Sequence, residues 1–332
     1  MQDLSSEFLP WWEDAWRQLW NRRLGETLPH AILVTGSNGL GKSLFATEFA
    51  AALLCARPGS DGIACGSCSA CRLSANSSHP DLHKVMPLED KQQILIDQIR
   101  ALTAKLGMKS HAGGFKIALI HPAECMNVAA ANSLLKTLEE PTDNTLLLLV
   151  SERPARLSAT IRSRCQTCHL QPPPVDRAVA WLESKLGSQQ SVKALLRLAA
   201  GAPLQALRLA ELDVLEQREG WIAELKAVLE EREDPVGVAA RWSAGTEELS
   251  PLYWFGVWLT DMIRCEQAPG AELRDPDLHA YLKQLGRCVG PATLHRLLQR
   301  VWEALRLPQS ALNRQMLIED LLIDWGRAKA RR

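Results

Sequence analysis

The sequence predicts an α/β domain followed by two all-helical parts, and three observations carry that prediction. A strand, a glycine-rich loop and a helix run in succession from Ala31 to Leu54, with Ile32 to Thr35 apolar or β-branched and Leu44 to Leu54 helical in period. Two further short apolar runs, Phe115 to Ile120 and Thr145 to Val150, follow downstream as buried strands. Beyond Pro172-Pro173-Pro174 the strand signals stop and every remaining pattern is helical.

Length and composition set the frame. A chain of 332 residues is long enough for two or three domains, and 46% hydrophobic with 23% charged residues is ordinary for a globular protein. Formal net charge is zero, so charge alone does not advertise independent tight binding to nucleic acid. Met1 to Glu7 holds acidic residues and no apolar signal core, and the longest aliphatic run, Leu146 to Val150, is far too short to span a bilayer. The nine cysteines are odd in number and mostly clustered, which favours metal ligation over a disulfide framework. A cytoplasmic protein is expected.

The first segment holds Trp11, Trp12, Trp16 and Trp20 with Arg17, Arg22 and Arg23 among and after them. Aromatics interleaved with arginines can stack on single-stranded bases. Trp12, Trp16 and Trp20 also recur at i, i+4 and i+8, which marks the apolar face of an amphipathic helix, and this reading is preferred.

Gly36-x-x-x-x-Gly41-Lys42-Ser43 fills the complete phosphate-loop pattern in its expected context between strand and helix. Its glycines let backbone N–H groups turn inward around phosphate oxygens, Lys42 adds a point charge, and Ser43 offers a hydroxyl to Mg²⁺. The residues expected to hold a nucleotide are Gly36, Asn38, Gly39, Leu40, Gly41, Lys42 and Ser43.

The helix after the loop delivers Cys55, and a turn-rich stretch then leads to Cys65-Gly-Ser-Cys68-Ser-Ala-Cys71. Four thiols in a short span, with C-x₂-C spacing and small residues between, suit tetrahedral Zn²⁺, and four protein ligands make the site structural. An iron–sulfur cluster is the chemical alternative, but its usual run needs a fourth cysteine followed by proline, and Arg72-Leu-Ser-Ala75 has none.

His79-Pro80-Asp81 marks a turn ahead of a strand from Leu82 to Met86, and Asp97 is a good N-cap for a helix through Ile99, Leu102 and Leu106. Gly113-Gly114 breaks the chain before the next strand. In a phosphate-loop ATPase that strand should end in an acidic residue for Mg²⁺, followed by a glutamate that orients water. Here it ends in His121-Pro122, and Glu124 comes two residues late. Nucleotide parts are present without hydrolysis parts.

Asn127 to Glu140 reads as a helix stopped by Pro141, and a later segment ends in Ile161-Arg162-Ser163-Arg164-Cys165. Cys165 and Cys168 have no partner ligands nearby and read as buried or incidental thiols. After the prolines, helices are expected over Ala178 to Leu186, Val192 to Ala200, Leu204 to Leu212, Val214 to Glu231, Val236 to Trp242, Leu249 to Cys265, Leu278 to Cys288, Ala292 to Leu305 and Asn313 to Ala328. His279 and His295 sit in helical contexts as surface or packing residues, and no catalytic constellation is visible there.

The order of phosphate loop, four-cysteine insert, degenerate second motif, Ala131-Asn-Ser-Leu-Leu-Lys-Thr-Leu-Glu-Glu-Pro141 and Ser163-Arg164-Cys165 resembles the bacterial clamp-loader branch of the AAA+ proteins. The C-terminal stretch Asn313 to Leu322 resembles the end of such a subunit. The resemblance implies an AAA+ domain with a RecA-like parallel sheet over residues 1–170, carrying a zinc module at 55–71. A helical lid over 171–212 and an all-helical collar over 213–332, through which subunits assemble, would follow. It further implies a complex that uses ATP to open a ring-shaped sliding clamp and place it on primed DNA, with delta and gamma or tau subunits as neighbours. By position Arg164 would be an arginine finger acting in trans, where a guanidinium stabilises charge on a neighbour's γ-phosphate; a local salt bridge or C-cap is its alternative role.

Two departures separate this chain from the hydrolysing members. His121-Pro122 stands where they carry Asp-Glu, and Leu204 stands where they carry the arginine of a Gly-Ser-x-Arg lid pattern. Both fit a subunit that does not hydrolyse ATP and argue against a gamma or tau assignment. The complete phosphate loop supports the alternative, an active ATPase motor of gamma or tau type. A zinc-dependent nucleic-acid binder would rest on the cysteines alone.

Overall fold

The computed structural model describes residues 7–88, 91–111, 113–187, 191–244, 250–268, 270–306 and 314–328. The acidic start from Met1 to Ser6 and the helix starts expected at Leu249 and Asn313 lie outside the described residues. The chain divides into two compact units, Met1–Ala178 with Ala202–Leu204, and Val179–Gly201 with Gln205–Arg332.

In the first unit a 3₁₀ turn at Pro10–Trp12 leads into α1 (Glu13–Leu24), followed by β1 (Ala31–Thr35), α2 (Lys42–Leu54), α3 (Ser69–Ala75), β2 (Leu82–Val85) and α4 (Ile96–Leu106). Then come β3 (Lys116–Ile120), α5 (Val128–Glu139), β4 (Thr145–Val150), α6 (Ala159–Arg164), β5 (Gln166–His169) and the start of α7 (Val175–Leu186). The five strands form one sheet in the order β2-β3-β4-β1-β5, and every pair is parallel.

Sequence explains this order. The three inner strands β1, β3 and β4 are buried along their whole length, as a parallel sheet covered on both faces requires, and their sequences are near-continuous aliphatic runs. One face packs Leu33, Ile120, Leu147 and Leu149 against Ile99 and Leu102 of α4, Leu134 and Leu138 of α5 and Ile161 of α6. On α2, Phe45 and Phe49 meet Trp16 edge-on at ring distances of 5.8 and 5.4 Å, and Phe45 meets Trp12 at 5.6 Å. The tryptophan face is therefore core: Trp12 and Trp16 are 0% and 3% exposed, which leaves no platform there for stacking bases.

Three local readings change. Asp97 lies inside the first turn of α4 and is not its cap; Leu95 is the N-cap residue, and its N–H is taken by the Gln98 side chain at 3.0 Å. The second strand stops at Val85, leaving Met86 53% exposed. β5 has no counterpart in the sequence reading, because Gln166-Thr-Cys-His169 is an edge strand with only Cys168 buried and lacks an apolar run.

The second unit is helical among its described residues. It takes the remainder of α7, α8 (Val192–Leu198), most of α9 (Pro203–Glu211), α10 (Val214–Leu229), α11 (Pro235–Ser243) and α12 (Pro251–Gln267). α13 (His279–Val289), α14 (Pro291–Arg306) and α15 (Arg314–Gly326) complete it. Trp242 and Trp325 both meet Phe255 edge-on, and Trp258 sits beside Trp254 in the same core. Gly256 brings α12 close to α14: a Cβ there would lie 3.1 Å from Val301. A buried polar network ties the turn after α12. Asp275 is paired with Arg218 and accepts the Trp258 indole N–H at 3.2 Å, while Asp261 accepts the Asp275 backbone N–H at 2.9 Å. His279 and His295 are exposed, as their helical settings suggest.

Candidate functional site

Parallel register brings the C-terminal ends of the inner strands to one edge of the sheet, where α/β folds bind their ligands. Val34 lies opposite Val150, and Leu149 opposite Ile120. The loops that follow β1, β3 and β4 therefore emerge side by side.

The loop after β1 needs its glycines for space as well as for conformation. Gly36 has φ 144°, and a Cβ there would sit 2.6 Å from the Leu170 carbonyl oxygen. Gly41 caps α2 in the left-handed region at φ 76°, and a Cβ there would meet Trp12 at 2.9 Å, Leu9 at 3.0 Å and Leu204 at 3.1 Å. Two loop carbonyls are held from outside the loop. Leu40 accepts both the Trp11 and Trp12 indole N–H groups, at 2.9 and 3.0 Å, and Gly39 accepts the Leu204 N–H at 3.0 Å. The first-turn N–H groups of α2, beginning at Lys42 and Ser43, have no intrahelical acceptor, and they stand where an anion would complete them.

Lys42 is 4% exposed. Its Nζ donates to the Ser37 carbonyl at 2.8 Å and lies 3.6 Å from a Glu152 carboxylate oxygen. Burial pushes its pKa below the usual lysine value, and the Glu152 and Glu124 carboxylates oppose that shift. Glu124 is spent on backbone: one carboxylate oxygen accepts the N–H groups of Glu152 and Arg153, both at 3.1 Å. Its other oxygen, the His121 Nδ1 and the Ser151 hydroxyl are buried without a partner. Burial also pushes the His121 pKa below its ordinary value. Unpaired buried polar atoms beside a cationic, glycine-rich loop fit a polar ligand, and Lys42, Ser43 and the helix N-terminus fit its phosphates. The end of β3 supplies no carboxylate to a metal, because His121 stands there and Glu124 is turned to the loop after β4.

Arg164 ends α6. Its guanidinium is 2.5 Å from a Glu139 carboxylate oxygen and donates to the Thr160 carbonyl at 3.0 Å, with the side chain 33% exposed. The Leu-Leu-Lys-Thr-Leu-Glu-Glu-Pro and Ser-Arg-Cys stretches are thus joined by an ion pair, a link that neither stretch announces. Burial pushes the Cys165 and Cys168 thiols both up to about 11, as expected of inert packing cysteines.

The cysteine insert hangs from the other end of α2. Trp16 donates its indole N–H to the Asp61 carbonyl at 3.1 Å, and the Trp20 ring fills the space where a Cβ on Gly62 would lie. Beyond this turn the Sγ atoms of Cys55, Cys65, Cys68 and Cys71 all lie within 4.8 Å of one another. Neighbouring sulfurs are 3.9, 3.9 and 3.4 Å apart, close to the roughly 3.8 Å that tetrahedral bonds of 2.3 Å to one ion would set. Backbone N–H groups of Arg57 and Cys65 point at the Cys55 sulfur, and that of Cys71 at the Cys68 sulfur. Such donors orient and stabilise thiolates around a cation. This cluster can hold a metal ion such as zinc.

Three contributors lie beyond motif reading: Trp11 and Trp12, whose indoles reach a loop 29 and 28 residues away, and Glu152, whose only local signal is its place just after a strand. A parallel sheet ordered 2-3-4-1-5, with a phosphate loop after its first strand and a helical unit besides, defines a protein of the AAA+ type. Two families match the chain: "DNA polymerase III, delta subunit" over residues 12–174, and "DNA polymerase III, delta subunit, C terminal" over residues 213–327. The DNA polymerase III subunit delta-prime of Pseudomonas aeruginosa is 37% identical over 331 residues, covering 97% of this chain and 98% of its own. That of Escherichia coli K12 is 33% identical over 299 residues, covering 89% and 88%. Among solved structures, a gamma-subunit-related protein of DNA polymerase III from Thermotoga maritima aligns at 17% identity and a TM-score of 0.47, over 94% of this chain and 98% of that one. The chain belongs to the family of DNA polymerase III delta-prime subunits.

Proposed function

We propose that this chain is the non-hydrolysing member of a clamp loader, working with delta and gamma or tau subunits to place the sliding clamp on primed DNA in the cytoplasm. One observation carries the absence of hydrolysis: the carboxylate nearest the expected catalytic position, Glu124, is bound to the backbone N–H groups of Glu152 and Arg153. That hold fixes it against the loop after β4, two residues past the position where a hydrolytic carboxylate is expected. The residues from Gly36 to Ser43 hold a nucleotide weakly or structurally; ATP with Mg²⁺, where bound, would take its phosphates to Lys42 and the α2 N-terminus and its metal to Ser43. Arg164 acts in a neighbour's site. Its partly exposed position at the end of α6 supports this, with Glu139 holding the guanidinium until a more strongly charged partner arrives.

Residues 1–170 form the AAA+ domain, 171–212 the lid and 213–332 the collar that joins subunits; the start of the second family match at residue 213 supports the last boundary. The four cysteines hold one structural Zn²⁺, with no open position for chemistry. Among the described residues no helix is long and apolar enough to cross a membrane.

The test is ATP turnover. The isolated chain is expected to show none above background, and Arg164→Ala in a reconstituted complex is expected to lower turnover without altering the chain's own melting. Robust hydrolysis by the lone chain, abolished by Lys42→Ala, would make it a motor subunit instead.

A further inference from the structure

The position of Glu152 has a consequence for which nucleotide the loop accepts. The carboxylate stands 3.6 Å from the Lys42 ammonium, the charge that a phosphate loop directs at the β- and γ-phosphates. It is fixed there by chain geometry: the Glu152 and Arg153 N–H groups are both bound by Glu124, and the adjoining Ser151 N–H is bound by the Val34 carbonyl of β1. Glu124 itself faces the same region with a buried, unpartnered oxygen. Two carboxylates thus share one buried lysine, and the first-turn N–H groups of α2 remain for the rest of the ligand.

We infer that Glu152 is an internal anion occupying the terminal-phosphate position on Lys42, so that the loop favours a nucleoside diphosphate over a triphosphate. A γ-phosphate must displace the carboxylate or lie against it, and like charges brought together in a partly desolvated cleft repel strongly. A diphosphate can use the α2 N-terminus and leave the Lys42–Glu152 pair in place. Half-exposure of Glu152 softens the effect by solvent screening but does not remove it. The inference rests on the reading of this loop as a nucleotide site.

Calorimetric titration of the full chain with ADP and ATP, each with and without Mg²⁺, tests it. The wild-type chain is expected to bind ADP about tenfold more tightly than ATP, with or without the metal. Glu152→Gln should close that gap by tightening ATP on the order of tenfold while moving ADP by less than about twofold. An unchanged melting temperature would show that the variant is folded, and Lys42→Ala, which leaves the Glu152 carboxylate unpaired beside the loop, should weaken both ligands. Equal wild-type affinities, or a Glu152→Gln chain with unaltered preference, would overturn the inference while leaving the nucleotide site standing. Weaker binding of Mg·ATP to Glu152→Gln would overturn it in another way, by making Glu152 a metal holder. If neither chain binds either nucleotide, the loop is not a nucleotide site and both readings fall.

Discussion

The four-cysteine cluster and the phosphate loop sit at opposite ends of α2 and are assembled in opposite ways. All four sulfurs come from a span of 17 residues, and the backbone donors around them come from the same span. The phosphate loop is compact in sequence, yet its state is set from a distance by Trp11, Trp12, Glu124, Glu152 and Leu204. A cluster that carries its own ligands announces its chemistry. A loop that borrows its neighbours does not, because the same eight residues can serve hydrolysis, binding or neither, according to what the fold brings against them.

The sharpest way to break this comparison is to remove one sulfur. Cys71→Ser should reduce bound metal from about one equivalent to nearly none by elemental analysis, and should melt the local structure of α3, since metal affinity is folding energy for such a module. Because the cluster is self-contained, nucleotide affinity at Lys42 should be unchanged; a parallel loss would show the two sites to be coupled.

Gly41→Ala should have the next largest effect. Its left-handed φ and the 2.9 Å approach of Trp12 leave no room for a methyl group, so a loss of about 1–3 kcal/mol and a melting point a few degrees lower are expected. Nucleotide binding should go with it, since the loop cannot keep its shape. Trp12→Phe keeps most of the ring packing and deletes one of two hydrogen bonds to the Leu40 carbonyl. A cost of about 1 kcal/mol by denaturant titration is expected, with Trp11 still in place.

The smallest effect concerns acid. His121 has a folded-state pKa below its unfolded value, so as pH falls below about 6.5 the unfolded chain takes up a proton that the native site refuses, and stability drops. The loss is complete once pH passes below the lowered folded value. His121→Gln should make the decline between pH 7 and 5 shallower, while His79 and His83, whose pKa values burial also lowers, keep part of it. An identical decline in both chains would remove His121 from the account.

Much of the fold is legible in the sequence because burial writes itself as composition. Strands covered on both faces must be aliphatic, so β1, β3 and β4 stand out, and the helices of the second unit show their stripes at Trp254 and Trp258 or at Leu321. β5 escapes because an edge strand with one buried side chain carries little of that signal. Asp97 misleads because local capping propensity is weak beside the contacts that place the whole helix, and Gln98 supplies the cap bond instead. Arg164 illustrates the same limit: its motif is local, but its pairing with Glu139 is a meeting of two helices.

By itself, then, the sequence determined the aliphatic runs of the inner strands, the cysteine cluster, the phosphate-loop pattern and the absence of an acidic pair after β3. Each is local, and each follows from periodicity or ligand spacing. Tertiary structure alone decided what surrounds Lys42. Which carboxylate faces a buried ammonium depends on strand order and register, here β4 beside β1, and no spacing along the chain encodes that contact.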